Sequence, residues 1–506
     1  MLVAQRYVIA AMCCWTLAGC ALAQVPRGPI MLDAPQEAVA ATFNPAAALE
    51  DLRIIDETVR EMVPDGTALP DESILAAERA AQVAQLPSLA SRRDVAAAAM
   101  ERVGAYRSSH VYLLFPFENW NADAARGGRQ FDRTLSVTTD GRLLIDERAV
   151  TTINGRSARD FLAWARKGYG QDNPLRLPQR MRDRAPEMLW LWGIDAPFRV
   201  AFADGTEASF QGAPMSQRTH PLGGRSPDAG PEQPATQPFS LQVEDSIARL
   251  TVERLDQRFE EQWNTLVTDL ETGIRQGRIA RLIIDLRGNR GGAGRLSERL
   301  LAMLAGVPVP TSGGKLWKRS RLYEDGLSGF VPPVLRLGPW RRAILGSDGV
   351  AALDSIPIGE TRLFGGFARP AVVPIMPEGN ISVLIDQDTG SSATQLARAV
   401  QFFRLGRLIG APTGNPTTEL GEIAFFRLPN SQLIFASPSA QFLDVSGEPT
   451  EGPVMPDILL CGATGQFAAE KALEIALGSD SAAIRQIMAP VFRPGYTEID
   501  YCAASG

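Results

Sequence analysis

Ile381–Thr394 reads ISVLIDQDTGSSAT and runs straight into the segment Gln395–Phe403. Ile381, Val383, Leu384 and Ile385 form the apolar run of a short buried strand. Asp386 to Gly390 supply turn residues. Leu396, Ala397, Val400, Phe402 and Phe403 then recur at helical spacing. Ser391 and Ser392 stand where strand gives way to helix. A hydroxyl at that junction is held rigidly beside backbone N–H groups that no helical carbonyl uses, which suits a nucleophile. The same position also suits a plain N-cap serine with no chemistry.

Working outward, Ala280–Gly288 (ARLIIDLRG) has an apolar centre of the kind buried in a parallel sheet. Helical patterns at Phe259–Gln276 and Arg295–Leu304, with a strand at Arg407–Gly410, predict βαβ units. An α/β domain is therefore expected over 239–470, opening on a strand-like stretch at Leu241–Val252. Further expectations are an aromatic loop at Trp317–Phe330, paired strands at Glu422–Leu428 and Gln432–Ala436, and helices at Ala468–Leu477 and Ser481–Met488. The last of these belongs to a helical tail, 471–506.

Upstream, 24–107 reads as a helical region. Its helices run over Pro45–Met62, from Pro70–Ser73 to about Leu86, and from Arg93 to Tyr106. Residues 108–210 form a small mixed α+β module, and 211–238 is a Gly/Pro-rich linker. The whole is an α+β multidomain protein. Residues 1–23 carry an export pattern, with Arg6 ahead of the apolar run Tyr7–Ala18, which is too short to span a bilayer. Leu17–Cys20 fits a lipoprotein signal ending at residue 19, with lipid on Cys20. Ala21-Leu22-Ala23 fits ordinary cleavage into a soluble periplasmic or secreted product.

A net charge of -6 across 506 residues argues against a binder of nucleic-acid backbones. Cys461 and Cys502 lie beyond the export segment and form either one disulfide or two buried thiols. No metal-ligand spacing is present among two histidines and these cysteines, so neither metal nor cofactor is expected.

A serine nucleophile needs a base and a group to orient it. His110 and His220 are the histidines of the chain. His220 lies in the linker, whereas His110 follows Ser109 and precedes the apolar run Val111–Phe115, so His110 is the better base. Asp285–Gly294 (DLRGNRGGAG) ends an apolar strand with a glycine-rich turn able to point N–H groups at an oxyanion. Asp285 and Arg287, beside a buried strand, are expected to pair.

Asp285–Gly292, Thr389–Ala393, Ile409–Thr413 and Glu451–Asp457 (EGPVMPD), in that order, resemble the tail-specific or C-terminal-processing serine proteases. The resemblance covers 240–460 and reaches back more loosely to His110. It implies a crotonase/ClpP-like core cleaving peptides or unfolded proteins. One branch of that family uses a Ser–Lys dyad. Here Pro416 occupies the matching place, and Leu405–Gln466 contains no lysine. The branch similar to the tricorn core uses Ser, His and Glu. By that resemblance Ser391 is the nucleophile, His110 the base and Glu451 the orienting acid, while Ser392 and Gly291 or Gly292 supply the oxyanion donors. Thr394 stands where the family carries a glutamate, and Pro453 where it carries a glycine. No obvious PDZ domain precedes the core. The alternatives are a non-catalytic relative that binds a peptide or apolar ligand in the same cleft, and a crotonase-type acyl-CoA enzyme, which the export pattern disfavours.

Overall fold

The computed structural model describes residues 36–138, 141–169, 173–218, 237–329, 340–365, 370–463, 465–478, 484–488 and 490–503. The export segment with Cys20, and the central part of the linker with His220, lie outside these residues. The described chain is α+β with a helical N-terminal region. No described helix is long and apolar enough to cross a membrane.

After the short helix Gln36–Ala40 come three longer helices, and each begins on a local signal. Asn44 caps Pro45–Met62, Asp71 caps Glu72–Ala84, and Ser91 with Asp94 forms a capping box for Arg92–Gly104. The small module follows, a six-stranded antiparallel sheet with helices at Ala158–Tyr169 and Leu177–Leu191. Phe198–Phe202 and Glu207–Phe210 form its hairpin.

The larger part is built on two sheets. One has seven strands, and its four central pairings are parallel. Ile247–Val252, Arg281–Asp285, Ile381–Ile385, Arg407–Gly410 and Ile458–Gly462 lie side by side in that order. Helices Glu260–Arg275, Gly294–Ala305 and Ser392–Phe402 bury Trp263, Leu300 and Leu396 against it. This is the βαβ arrangement that the apolar runs predict. The stretch Leu241–Val252 is not one strand but falls across a hairpin of Phe239–Glu244 and Ile247–Val252.

The second sheet is antiparallel and centred on the long strand Ile434–Leu443. It pairs with Glu419–Arg427 along one side, and with Gly314–Lys318 and the two-residue strand Tyr112–Leu113 on its other pairings. Three expectations change here. Over its described residues, 317–329, the expected loop is the end of the strand Gly314–Lys318 and the helix Arg321–Gly329, with Trp317 buried against Tyr323. The paired strands extend well beyond the expected limits, so one of them starts at Glu419. Finally, Ile484–Met488 is a strand antiparallel to Ile458–Gly462. Its Ile484, Ile487 and Met488 mimic helical spacing, but the open edge of the seven-stranded sheet offers backbone partners that override it.

Candidate active site

The turn after the Ile381–Ile385 strand is tied down residue by residue. The Asp386 carboxylate accepts the N–H groups of Gly288, Asp388 and Thr389, at 3.0, 3.0 and 2.9 Å to Oδ1. Thr389 Oγ1 donates to the Leu286 carbonyl, and Gly390 N–H to the Asn289 carbonyl. Arg176 and Gln179, from the small module, hold Asp388. The turn delivers Ser391 at φ 51° and ψ -128°, a conformation that a non-glycine residue adopts only under constraint. Ser391 makes no side-chain cap to the helix it precedes, so the plain N-cap reading fails. Its N–H donates to Asn415 Oδ1 at 2.7 Å.

Ser392 is different. It is buried, and its hydroxyl donates to the Gly292 carbonyl at 3.1 Å. Thr394, where the resemblance expects a glutamate, is fully buried and donates to the Thr389 carbonyl. It braces the turn from inside.

The glycine loop lies directly against this turn. A side chain on Gly291 would come 2.8 Å from Ser391 Cβ and 3.0 Å from Ser392 N. One on Gly292 would strike the Leu255 carbonyl at 2.1 Å, since Leu255 N–H and C=O bond the residues either side. Both glycines have positive φ. Asn289, fully buried, organises the loop: its side chain donates to the Val252 carbonyl and accepts the Gly291 N–H at 2.8 Å. That last bond corrects the expectation for Gly291, whose N–H is already committed.

His110 arrives from the other sheet. Tyr112–Leu113 pairs with Phe435–Ala436, and Leu114 N–H donates to the Ile434 carbonyl. Behind it, buried Arg92 grips the carbonyls of Ser431 and Gln432, and Asp51 accepts the Ser431 N–H, so the helical region clamps the tip of the Glu419–Leu443 hairpin. Ser108 Oγ accepts the His110 N–H, while Ser109 is the half-buried neighbour.

His110 Nδ1 lies 3.7 Å from Glu419 Oε2. The other contacts of this buried glutamate lead back to the serine. Asn415 Nδ2 donates to Glu419 Oε2, and Gln395 Nε2, on the helix after Ser391, reaches Glu419 Oε1 at 3.4 Å. Asn415 thus touches both the serine backbone and the carboxylate facing the histidine.

Glu451 does not occupy that place. Thr450 is stitched to Thr417 and Thr418, and Glu451 follows on the exposed side of the turn. Pro453 is buried and needs no N–H there, because the next residue, Val454, makes the bonds to Thr413. Asp457 accepts the Leu408 N–H and the Gln401 side chain, a structural role.

Sequence reading gives no role to Asn415, which stands beside Pro416, or to Glu419. Glu419 lies ahead of the strand expected from Glu422, so its burial at a strand start is known only from the fold.

Asp285 and Arg287 pair, with Arg249 as a second partner. Burial alone would raise the Asp285 carboxyl, but the two guanidiniums hold it below its usual range. Arg287 also bonds the carbonyls of Ala469 and Glu470, so the pair fastens the following segment to the sheet. Cys461 and Cys502 are joined in a disulfide with Cα atoms 5.7 Å apart. Among the described residues no group of three or more His, Cys, Asp and Glu could hold a metal ion.

Residues 246–460 match the model of peptidase family S41. No curated protein sequence matches the chain. Among solved structures it is similar to mature CPAF, at 13% identity over 87% of this chain and 100% of that one, with a TM-score of 0.48. It is also similar to the photosystem II D1 C-terminal processing protease, at 13% identity over 82% and 92%, TM-score 0.35. The tricorn protease aligns at 13% identity over 81% of this chain and 34% of its own, TM-score 0.31. On the match of its α/β region to peptidase family S41, the chain is classed as a serine-type peptidase.

Proposed function

We propose that the protein is an exported serine endopeptidase of the lysine-lacking, crotonase/ClpP-like kind, acting on peptides or unfolded proteins through Ser391, His110 and Glu419. The observation that carries the reading is the forced backbone of Ser391, whose hydroxyl caps nothing, in a cluster where Asn415 and Glu419 connect it to His110. A serine that serves only to start a helix has no use for that strain.

In the reaction, Ser391 Oγ attacks the scissile carbonyl carbon and its proton passes to His110. The carbonyl oxygen becomes an oxyanion facing the N–H groups of Gly292 and Ser392. Collapse of the tetrahedral intermediate breaks the C–N bond, and His110 returns the proton to the leaving amine. Water then repeats the sequence on the acyl-enzyme. Glu419 fixes the imidazole tautomer from the Nδ1 side, and Asn415 holds the carboxylate and the serine backbone in one register. With Pro416 in place of an amine, no lysine supplies the base. The export pattern and the Cys461–Cys502 disulfide support an oxidising compartment, periplasmic or extracellular, with lipid on Cys20 as the anchored variant.

A fluorophosphonate tests the reading: Ser391 Oγ displaces fluoride from phosphorus, with His110 taking the serine proton. Labelling should map to Ser391, persist in S392A and be lost in S391A and H110A. A folded protein that is not labelled would instead be a peptide-binding relative.

A further inference from the structure

Every residue of the Asp386–Gly390 turn has an anchor, and most anchors belong to the glycine loop or the small module. The anchor of Gln387 comes from elsewhere. Gln387 is buried, and its Nε2 donates at 2.8 Å to Oε1 of Glu498, itself 6% exposed, on the short helix Glu498–Ala503 near the chain end. One helical turn further on, Cys502 carries the disulfide to Cys461 in the sheet. The same tail buries Tyr501 and Cys502 with Leu175, Met455 and Leu459, and rests Phe492 on Gly452, where an added Cβ would fall 2.2 Å from the ring. Tyr501 Oη accepts the Arg493 N–H, closing the tail on itself.

We infer that Glu498 and Gln387 are positioning residues for the nucleophile, and that the Cys461–Cys502 bond is the clamp that holds them in place. A strained serine persists only while its surroundings over-determine it. The Gln387–Glu498 bond is a restraint on the turn that comes from neither the glycine loop nor Arg176. Without it, the turn relaxes and Ser391 Oγ drifts from its line of attack, where displacement of about 1 Å costs up to a hundredfold. The inference rests on the serine-peptidase reading, which supplies the nucleophile to be positioned.

The test is the kinact and KI of a fluorophosphonate on the mature protein, with the labelled site mapped and folding followed by circular dichroism. Glu498→Leu and Gln387→Leu should each lower kinact roughly tenfold with KI unchanged. Glu498→Gln, which keeps an oxygen that can accept from Gln387, should restore the wild-type rate. The double variant Cys461→Ser, Cys502→Ser should fall with the leucine variants. Native folding with wild-type kinact in both leucine variants would overturn the positioning role, as would a Glu498→Gln rate as low as that of Glu498→Leu. Wild-type kinact in the double serine variant would overturn the clamp. Failure of the wild-type protein to label at Ser391 would overturn the peptidase reading itself, and this inference with it.

Discussion

The two halves of the candidate site are built in opposite ways. The Ser391 half is local: a parallel strand, a turn and a helix within one continuous stretch, with a glycine loop from the adjacent strand folded over it. The His110 half is assembled at long range. A two-residue strand from the small module docks on a hairpin more than 300 residues later, held there by Arg92 and Asp51 from the N-terminal helices. Backbone geometry makes the first half and tertiary packing the second. The family-matched residues 246–460 contain the serine and the glycine loop but not the histidine.

The largest test of this contrast sets one glutamate against the other. Glu419→Gln should lower the labelling rate of Ser391 by a thousandfold or more, on the order of the loss when an orienting carboxylate is removed. Glu451→Gln should stay near wild type, because Glu451 is exposed. The reverse pattern would return the orienting role to the E-G-P-V-M-P-D turn and break the long-range half as described.

A smaller effect probes the local half. Gly291→Ala places a methyl 2.8 Å from Ser391 Cβ at a backbone angle that favours glycine. The methyl also falls 3.0 Å from Ser392 N, so acylation should drop about a hundredfold as that oxyanion donor and Ser391 are displaced, with native circular dichroism. An unchanged rate would mean that the loop does not enclose the reacting oxygen.

The mildest prediction concerns stability. Burial pushes the Glu498 carboxyl up to about 7, above the value expected in the unfolded chain. A group whose folded value is raised stabilises the fold while protonated, and that contribution is lost as pH climbs from about 4.5 through 7. Denaturant unfolding should therefore show the wild type weakening across that window while Glu498→Gln stays flatter. The variant should lead at pH 8 by on the order of 3 kcal/mol. Parallel curves would show that Glu498 keeps its charge at little cost.

Much of this was legible in the chain. The βαβ order, the helices Pro45–Met62, Glu72–Ala84 and Arg92–Gly104, and the Ser391 junction all follow from apolar periodicity and turn residues. These are interactions between residues a few positions apart, and sequence records them directly. The substitution of Pro416 for a lysine was equally visible, because residue type alone decides whether an amine is present.

Three-dimensional packing decided the rest. Ser391 and Ser392 are neighbours of the same type, and only the fold assigns one to a strained, uncapped position and the other to a buried bond with Gly292. Glu419 and Glu451 likewise differ in nothing that composition or spacing reveals. Strand pairing buries one beside His110 and leaves the other in an exposed turn. The helical spacing of Ile484–Met488 gave way to an open sheet edge for the same reason. What a side chain will face across the fold depends on which backbones pair, and that pairing is settled by burial summed over the whole domain.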